Sequence, residues 1–144
     1  MFKWDVRMWV AADTRLDMDG MGLMVVGVAS DFDQHDSGVH CHVLGQLLFV
    51  HSGCARITLD DRLCMLAPTR LIWIPPGLLH RVETTAAAGF RSVYLDVQRV
   101  TGLPPGLQVM TVSPLLREGL ERLAFAPLET DWQAGPGARL LAVC

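Results

Sequence analysis

Three histidines and one glutamine have the types and spacing that suit metal coordination. His40 and His42 are two residues apart, so on a β-strand both imidazoles point to the same side, and Gln46 shares their parity. His80 lies much further along the chain, just after a Pro-Pro-Gly turn at 75–77. A metal needs three or four donors around one point, which neighbours on a single strand cannot supply. The sequence therefore predicts that His40, His42, Gln46 and His80 converge on one interior pocket from two segments.

Two interpretations of these side chains remain open at this point. The histidines either hold a divalent transition metal (Zn, Ni, Fe or Mn) or line the pocket as polar groups satisfied by water and by one another. Gln46 either coordinates that metal or hydrogen-bonds a ligand or a histidine, because a neutral amide is a poorer donor than a carboxylate.

Two aromatic residues are candidates for the wall of a ligand pocket. Aromatic walls with a few convergent polar groups are typical of small-molecule sites, which makes Trp73 and Tyr94, with Gln46, candidate ligand-binding residues. Both rings are equally compatible with ordinary core packing. No residue is predicted to be catalytic.

Short strand-like runs broken by turn residues must position these groups. Residues 46–50, 55–59, 63–66, 71–74, 80–83 and 90–97 are such runs, and the stretch before residue 30 has room for one or two more. Residues 55–59 alternate apolar and polar side chains, as in a half-buried strand, whereas residues 71–74 are apolar on both faces. This pattern predicts a mainly β fold, an antiparallel barrel or sandwich.

The chain changes character after residue 100. A Gly- and Pro-rich linker at 102–106 is followed by Ser113 as N-cap and Pro114 at the first helical position, with a helix to about Ala126. Leu116, Leu120 and Leu123 share one face of that helix, as a core or a dimer seam. A second helix begins near 135–137 and gives only about two turns before Cys144. We therefore expect a barrel over 1–100 and a linker and helical segment over 101–144, truncated relative to a longer protein.

Composition excludes some function classes. The chain has 144 residues, 51% of them apolar, and a formal charge of −3, with 12 Lys and Arg not clustered as phosphate binding requires. No apolar run approaches the roughly 20 residues of a membrane helix, and the N-terminus lacks a signal-peptide layout, so we expect a soluble, cytoplasmic protein. A mean hydropathy of +0.31 is high enough to favour a dimer.

The histidine motifs resemble those of the cupins. In that family a HxH pair is followed by an acid four residues on and a glycine seven later, which here reads His40, His42, Gln46 and Gly53. The second motif, PxG and then His, reads Pro75, Gly77 and His80. The resemblance implies a double-stranded β-helix (jelly-roll) barrel with a metal at these positions. Gln46 replaces the glutamate usual in cupin enzymes.

A narrower resemblance accounts for that replacement. The segment Gly45-Gln-Leu-Leu-Phe, Gly53, the segment Trp73-Ile-Pro-Pro-Gly-Leu-Leu-His80 and the segment Tyr94-Leu-Asp96 resemble the N-terminal effector domain of AraC-type regulators. This resemblance implies a barrel that binds a small-molecule effector, one or two C-terminal helices that form a homodimer, and DNA binding through a separate domain absent from this chain.

Two other functions are kept as alternatives. One is a free-standing metal-dependent cupin enzyme, a dioxygenase or isomerase, against which the missing glutamate counts because no general base is left in the motif. The other is a cupin retained only as a structural dimer module.

Overall fold

A computed structural model describes residues 22–144 apart from positions 33 and 85, so expectations about the first 21 residues lie outside the described part of the chain. Within these residues the strands are β1 (Val25–Phe32), β2 (His35–Asp36), β3 (Gly45–Ser52), β4 (Ala55–Leu59), β5 (Arg62–Leu66), β6 (Arg70–Ile74), β7 (Arg81–Thr84), β8 (Ala88–Leu95) and β9 (Gln108–Thr111). The helices are α1 (Pro114–Ala124) and α2 (Gly135–Val143).

The described strands form two antiparallel sheets. The large sheet has the order β1-β8-β3-β6-β9 and the small sheet the order β2-β7-β4-β5. Neighbours in each sheet are mostly distant in sequence, as expected of a jelly-roll rather than a meander. Strand β3 lies between β8 and β6, so Gln46 is opposite both Tyr94 and Ile74. Pairing on both sides holds the glutamine backbone in place.

The two sheets face each other across an apolar core. Alternate residues of β3, such as Leu48 and Val50, pack against residues of the small sheet, such as Ile57 and Val82. The apolar positions of β4 are buried in the predicted alternating pattern, and residues 71–74 are buried throughout. Both strand predictions are confirmed.

The helices cover the outer face of the large sheet. Leu120 and Leu123 of α1 are buried against residues such as Phe49 and Val93, so the leucine stripe of α1 packs in the core of this chain. Gly27 on β1 permits the close approach, because a Cβ there would lie 2.1 Å from the Leu123 carbonyl oxygen. The large sheet is thus buried on both faces.

The start of α1 follows the predicted signals. Ser113 Oγ accepts a hydrogen bond from the Leu116 N–H at 3.2 Å, and Pro114 occupies the first turn. α1 ends at Ala124, two residues before the predicted end.

No described helix is long and apolar enough to cross a membrane.

One strand lies where linker and helix were expected. β9 follows the 102–106 segment and pairs with β6, with Val109 opposite Ile72, so it completes the edge of the large sheet. The mainly β class with two C-terminal helices is confirmed.

Candidate metal and effector site

His40 and His80 are joined directly through their backbones. The His40 N–H donates to the His80 carbonyl and the His80 N–H to the His40 carbonyl, both at 2.9 Å, in an isolated antiparallel bridge. The turn before His80 needs a glycine, since Gly77 has φ of +79°, and its N–H donates to the His42 carbonyl at 2.9 Å. These bonds tie the two histidine motifs together.

The path between His42 and Gln46 corrects one part of the sequence argument. We expected His40, His42 and Gln46 to share one face of a continuous strand, but the chain is irregular between the bridge at His40 and the start of β3 at Gly45. Strand parity therefore does not align these side chains. The cross-links to the 77–80 segment bring the histidines together instead.

The three imidazoles form one compact cluster. One ring nitrogen from each of His40, His42 and His80 lies within 4.8 Å of the others. The ring centroids of His40 and His80 are 4.3 Å apart, and those of His42 and His80 are 5.0 Å apart. His80 is 1% exposed, whereas His40 and His42 are partly exposed. The cluster therefore reaches from the interior to an accessible rim.

Backbone carbonyls determine which nitrogen of each ring carries the proton. The Nδ1–H groups of His40, His42 and His80 donate to the carbonyls of Gly38, Leu44 and Leu78 at 2.9, 2.5 and 2.8 Å. A carbonyl oxygen only accepts, so each neutral ring keeps its lone pair on Nε2. This orientation by backbone acceptors is common for metal-binding histidines.

Burial keeps His80 neutral. Loss of solvation is the main cause that lowers the pKa of His80 to about 4; proximity to His40 and His42 contributes in the same direction, and the Leu78 carbonyl opposes the shift. His80 Nε2 is buried and has no hydrogen-bond partner among the described residues. A buried, neutral, unpaired imidazole nitrogen has the properties of a metal ligand.

Gln46 presents its oxygen to the same cluster. Its side-chain amide donates to Ser92 Oγ at 2.7 Å, which leaves Oε1 directed at His42 Nε2, 3.1 Å away. Since His42 donates through Nδ1, both atoms of this short contact carry lone pairs. A cation coordinated by both atoms would relieve their repulsion.

The structure separates the two candidate aromatic residues. Tyr94 is opposite Gln46, and its ring lies edge-on to His42 with centroids 5.2 Å apart. Trp73 is opposite Leu47, so alternation directs it to the other face of the sheet, under the helices. Its indole N–H donates to the Pro104 carbonyl at 2.8 Å. The expectation that Trp73 lines the pocket is therefore corrected: Trp73 is a core residue.

Sequence reasoning missed Ser92. This serine is fully buried on β8 beside the candidate site, where it accepts the hydrogen bond that orients Gln46. A small polar residue two positions before Tyr94, on the same face of a largely buried strand, was the available signal.

Comparison with known proteins identifies the family of this chain. The family described as AraC-like ligand binding domain matches residues 22–143. The HTH-type transcriptional regulator NimR from Escherichia coli strain K12 is 33% identical over 109 residues, which are 76% of this chain and 39% of NimR. The chain thus spans well under half of the length of this relative.

Two solved structures are among those similar to this chain. The protein Ylba from E. coli matches with a TM-score of 0.51 at 17% identity, over 67% of this chain and 42% of Ylba. A cupin superfamily protein from Desulfitobacterium hafniense matches with a TM-score of 0.43 at 21% identity, over 45% of this chain and 61% of that protein. The predicted resemblance is confirmed by the family match, and the chain belongs to the AraC-like ligand-binding domain family.

Proposed function

We propose that this domain binds a small-molecule effector at His40, His42, Gln46, His80 and Tyr94 and passes that event to the DNA-binding part of a longer regulator. The observation that carries the proposal is the histidine cluster itself: three imidazoles from two segments, each with Nδ1 bonded to a backbone carbonyl and Nε2 left available. The family match supports ligand binding, and the similarity to NimR, a transcriptional regulator, supports a role in transcription regulation.

The donors at this site fit a divalent transition metal such as Zn, Ni, Fe or Mn. His80 Nε2 is buried without a partner, and the Gln46 oxygen and His42 Nε2 face each other at 3.1 Å. The three histidines and Gln46 would hold the metal, which would supply a Lewis-acidic centre for a donor atom of the effector. The chain's own contribution is to fix the ring orientations and to exclude water from the His80 side.

We favour ligand binding over catalysis as the function of this site. A dioxygenase or isomerase needs a group that moves a proton, and the cluster that the described residues form contains no carboxylate. Cys41, next to the histidines in sequence, is exposed, as expected if its side chain faces away from them. A cupin enzyme remains the alternative, to be tested by product formation.

Strand β8 provides a route from the site to the helices. Ser92 accepts the Gln46 hydrogen bond on the inner face, while the adjacent Arg91 donates from the outer face to Glu121 of α1 at 2.6 Å. The Arg91 guanidinium also lies 4.7 Å above the Phe125 ring, just after α1. A ligand that displaces Gln46 would disturb its hydrogen bond to Ser92 on β8. A shift of β8 would in turn change the contact between Arg91 and Glu121 of α1.

The helical segment is the proposed dimerisation element. Leu115 of α1 and Val143 of α2 are 74% and 69% exposed, although both helices also pack on the barrel. Apolar side chains at such exposure on helices favour contact with a second copy. We therefore propose a cytoplasmic homodimer in which the barrel senses the effector and the helices report it.

Metal and ligand binding to the purified chain test this function. We expect elemental analysis and calorimetric titration to give one divalent metal per chain, and a stabilising ligand to raise the melting temperature only of the metal-loaded protein. His42→Ala should lose both effects, whereas His35→Ala, outside the cluster, should keep them. Equal metal and ligand binding by His42→Ala would refute the proposal. Conversion of the ligand to a product by the wild-type protein alone would favour the enzyme.

A further inference from the structure

The candidate donors carry no negative charge. Imidazole binds metals in its neutral form, and the Gln46 carboxamide is neutral at every pH of interest. Among His, Cys, Asp and Glu of the described residues, the cluster consists of the three histidines alone. A divalent ion held by this set would keep its full charge of +2.

Acidic side chains on the adjoining strands are already committed elsewhere. Asp36 on β2 forms an ion pair with Arg81, and Glu83 on β7 forms one with Arg56 at 3.2 Å. The Arg81 hydrogen bond holds the pKa of Asp36 well below its usual range, so this carboxylate stays ionised and paired. These pairs provide no counter-charge for the histidine cluster.

Burial makes an uncompensated charge costly at this position. His80 and Gln46 are 1% and 2% exposed, so water cannot reach the ion from their side. Solvation of the charge is therefore incomplete. Net charge in such an environment is strongly disfavoured unless an opposite charge accompanies it. An anionic group of the ligand would supply this missing charge.

We infer that the effector is a small carboxylate-bearing molecule that binds through a carboxylate oxygen at the histidine cluster, and that the absence of a charge at position 46 permits this specificity. The inference rests on the proposed metal site. The Tyr94 ring, edge-on to His42, offers an apolar wall for the remainder of such a molecule. A glutamate at position 46 would supply the negative charge internally and compete with the ligand.

Cobalt provides a spectroscopic test that does not depend on any activity. We would titrate the Co²⁺-loaded chain with benzoate and with benzamide, its neutral isostere, in chloride-free buffer and follow the visible d–d absorption. Benzoate should change the spectrum in a saturable manner, and benzamide should not. Metal-free protein should bind neither probe.

Substitutions at Gln46 identify the source of the selectivity. Gln46→Glu should bind Co²⁺ at least about tenfold more tightly and benzoate at least about tenfold more weakly, because the internal carboxylate replaces the external one. Gln46→Met, neutral and of similar size, should retain the preference for benzoate over benzamide. Gln133→Glu, which adds the same charge at an exposed position before α2, should behave as wild type.

The possible failures are distinguishable. If Co²⁺ does not bind, the metal site and this inference both fail. If Co²⁺ binds but benzoate and benzamide behave alike, or if Gln46→Glu binds benzoate as well as wild type, only the carboxylate inference is overturned. If Gln46→Glu does not fold, Gln46→Met still tests the inference, because this neutral variant should bind benzoate in preference to benzamide.

Discussion

Glu121→Gln tests the contact that joins the barrel to α1. Glu121 Oε1 accepts from Arg91 Nε at 2.6 Å, and the side chains of Arg91 and Glu121 are 8% and 20% exposed. Breaking a buried ion pair by removing one partner costs about 3–5 kcal/mol, because the other charge is left uncompensated.

The cost here should lie below that range. Arg91 would retain the carbonyls of Ser30 and Phe90 and the face of the Phe125 ring, and glutamine would still offer an oxygen acceptor. Glu121 is also partly solvated, so we expect a loss of about 2 kcal/mol in the free energy of unfolding.

Urea denaturation measures this difference against a matched control on the same helix. Glu118 pairs with Arg122 at 3.5 Å, but both side chains are about 70% exposed. Glu118→Gln should therefore cost no more than about 0.5 kcal/mol. With an m-value of about 2 kcal/mol per molar, Glu121→Gln should lower the midpoint by about 1 M urea. If the two variants unfold at the same midpoint, Arg91 and Glu121 do not connect the barrel to α1.

Three further predictions follow from the site and its packing. In metal-free protein the unfolded chain protonates His80 near its ordinary pKa of 6.5, while the folded chain does so near about 4, so stability should fall by about 3 kcal/mol as pH drops through this window. His80→Asn should remove most of that slope in urea titrations at each pH, and an unchanged slope would contradict the assignment. Adding metal at about 100 times its Kd should stabilise the wild-type chain by about 2.7 kcal/mol in thermal or urea unfolding, and His80→Ala should lose this gain. Gly27→Ala should cost about 1–3 kcal/mol, since its Cβ would lie 2.1 Å from the Leu123 carbonyl oxygen, whereas Gly106→Ala, with no atom within 4 Å, should be close to neutral in the same urea assay.

Much of the local structure could be predicted because its causes are short-range. The alternation in residues 55–59 specifies a strand with one buried face, and Ser113 followed by Pro114 specifies where α1 begins. The spacing of His40, His42 and His80 was sufficient to predict a cluster. The motifs place the histidines on two segments, and one pairing between these segments brings the side chains together.

The remaining features depend on pairings between distant segments. β9 has four residues, and only its alignment with β6 distinguishes it from the linker before it. Trp73 and Ile74 are neighbours in the all-apolar run 71–74, so the sequence did not indicate which one lies on the inner face of the sheet, whereas the register with Leu47 and Gln46 decides it.

The sequence by itself determined the chemical character of this domain: a mainly β chain with three histidines and a glutamine of the types and spacing that suit a metal site. Tertiary structure decided their arrangement. The His40–His80 bridge brings the imidazoles together, Ser92 orients Gln46, and Arg91 on the reverse face of the same strand reaches α1. The physical reason is that residue type and local periodicity act over a few positions, while sheet register sets which side chains meet across the fold.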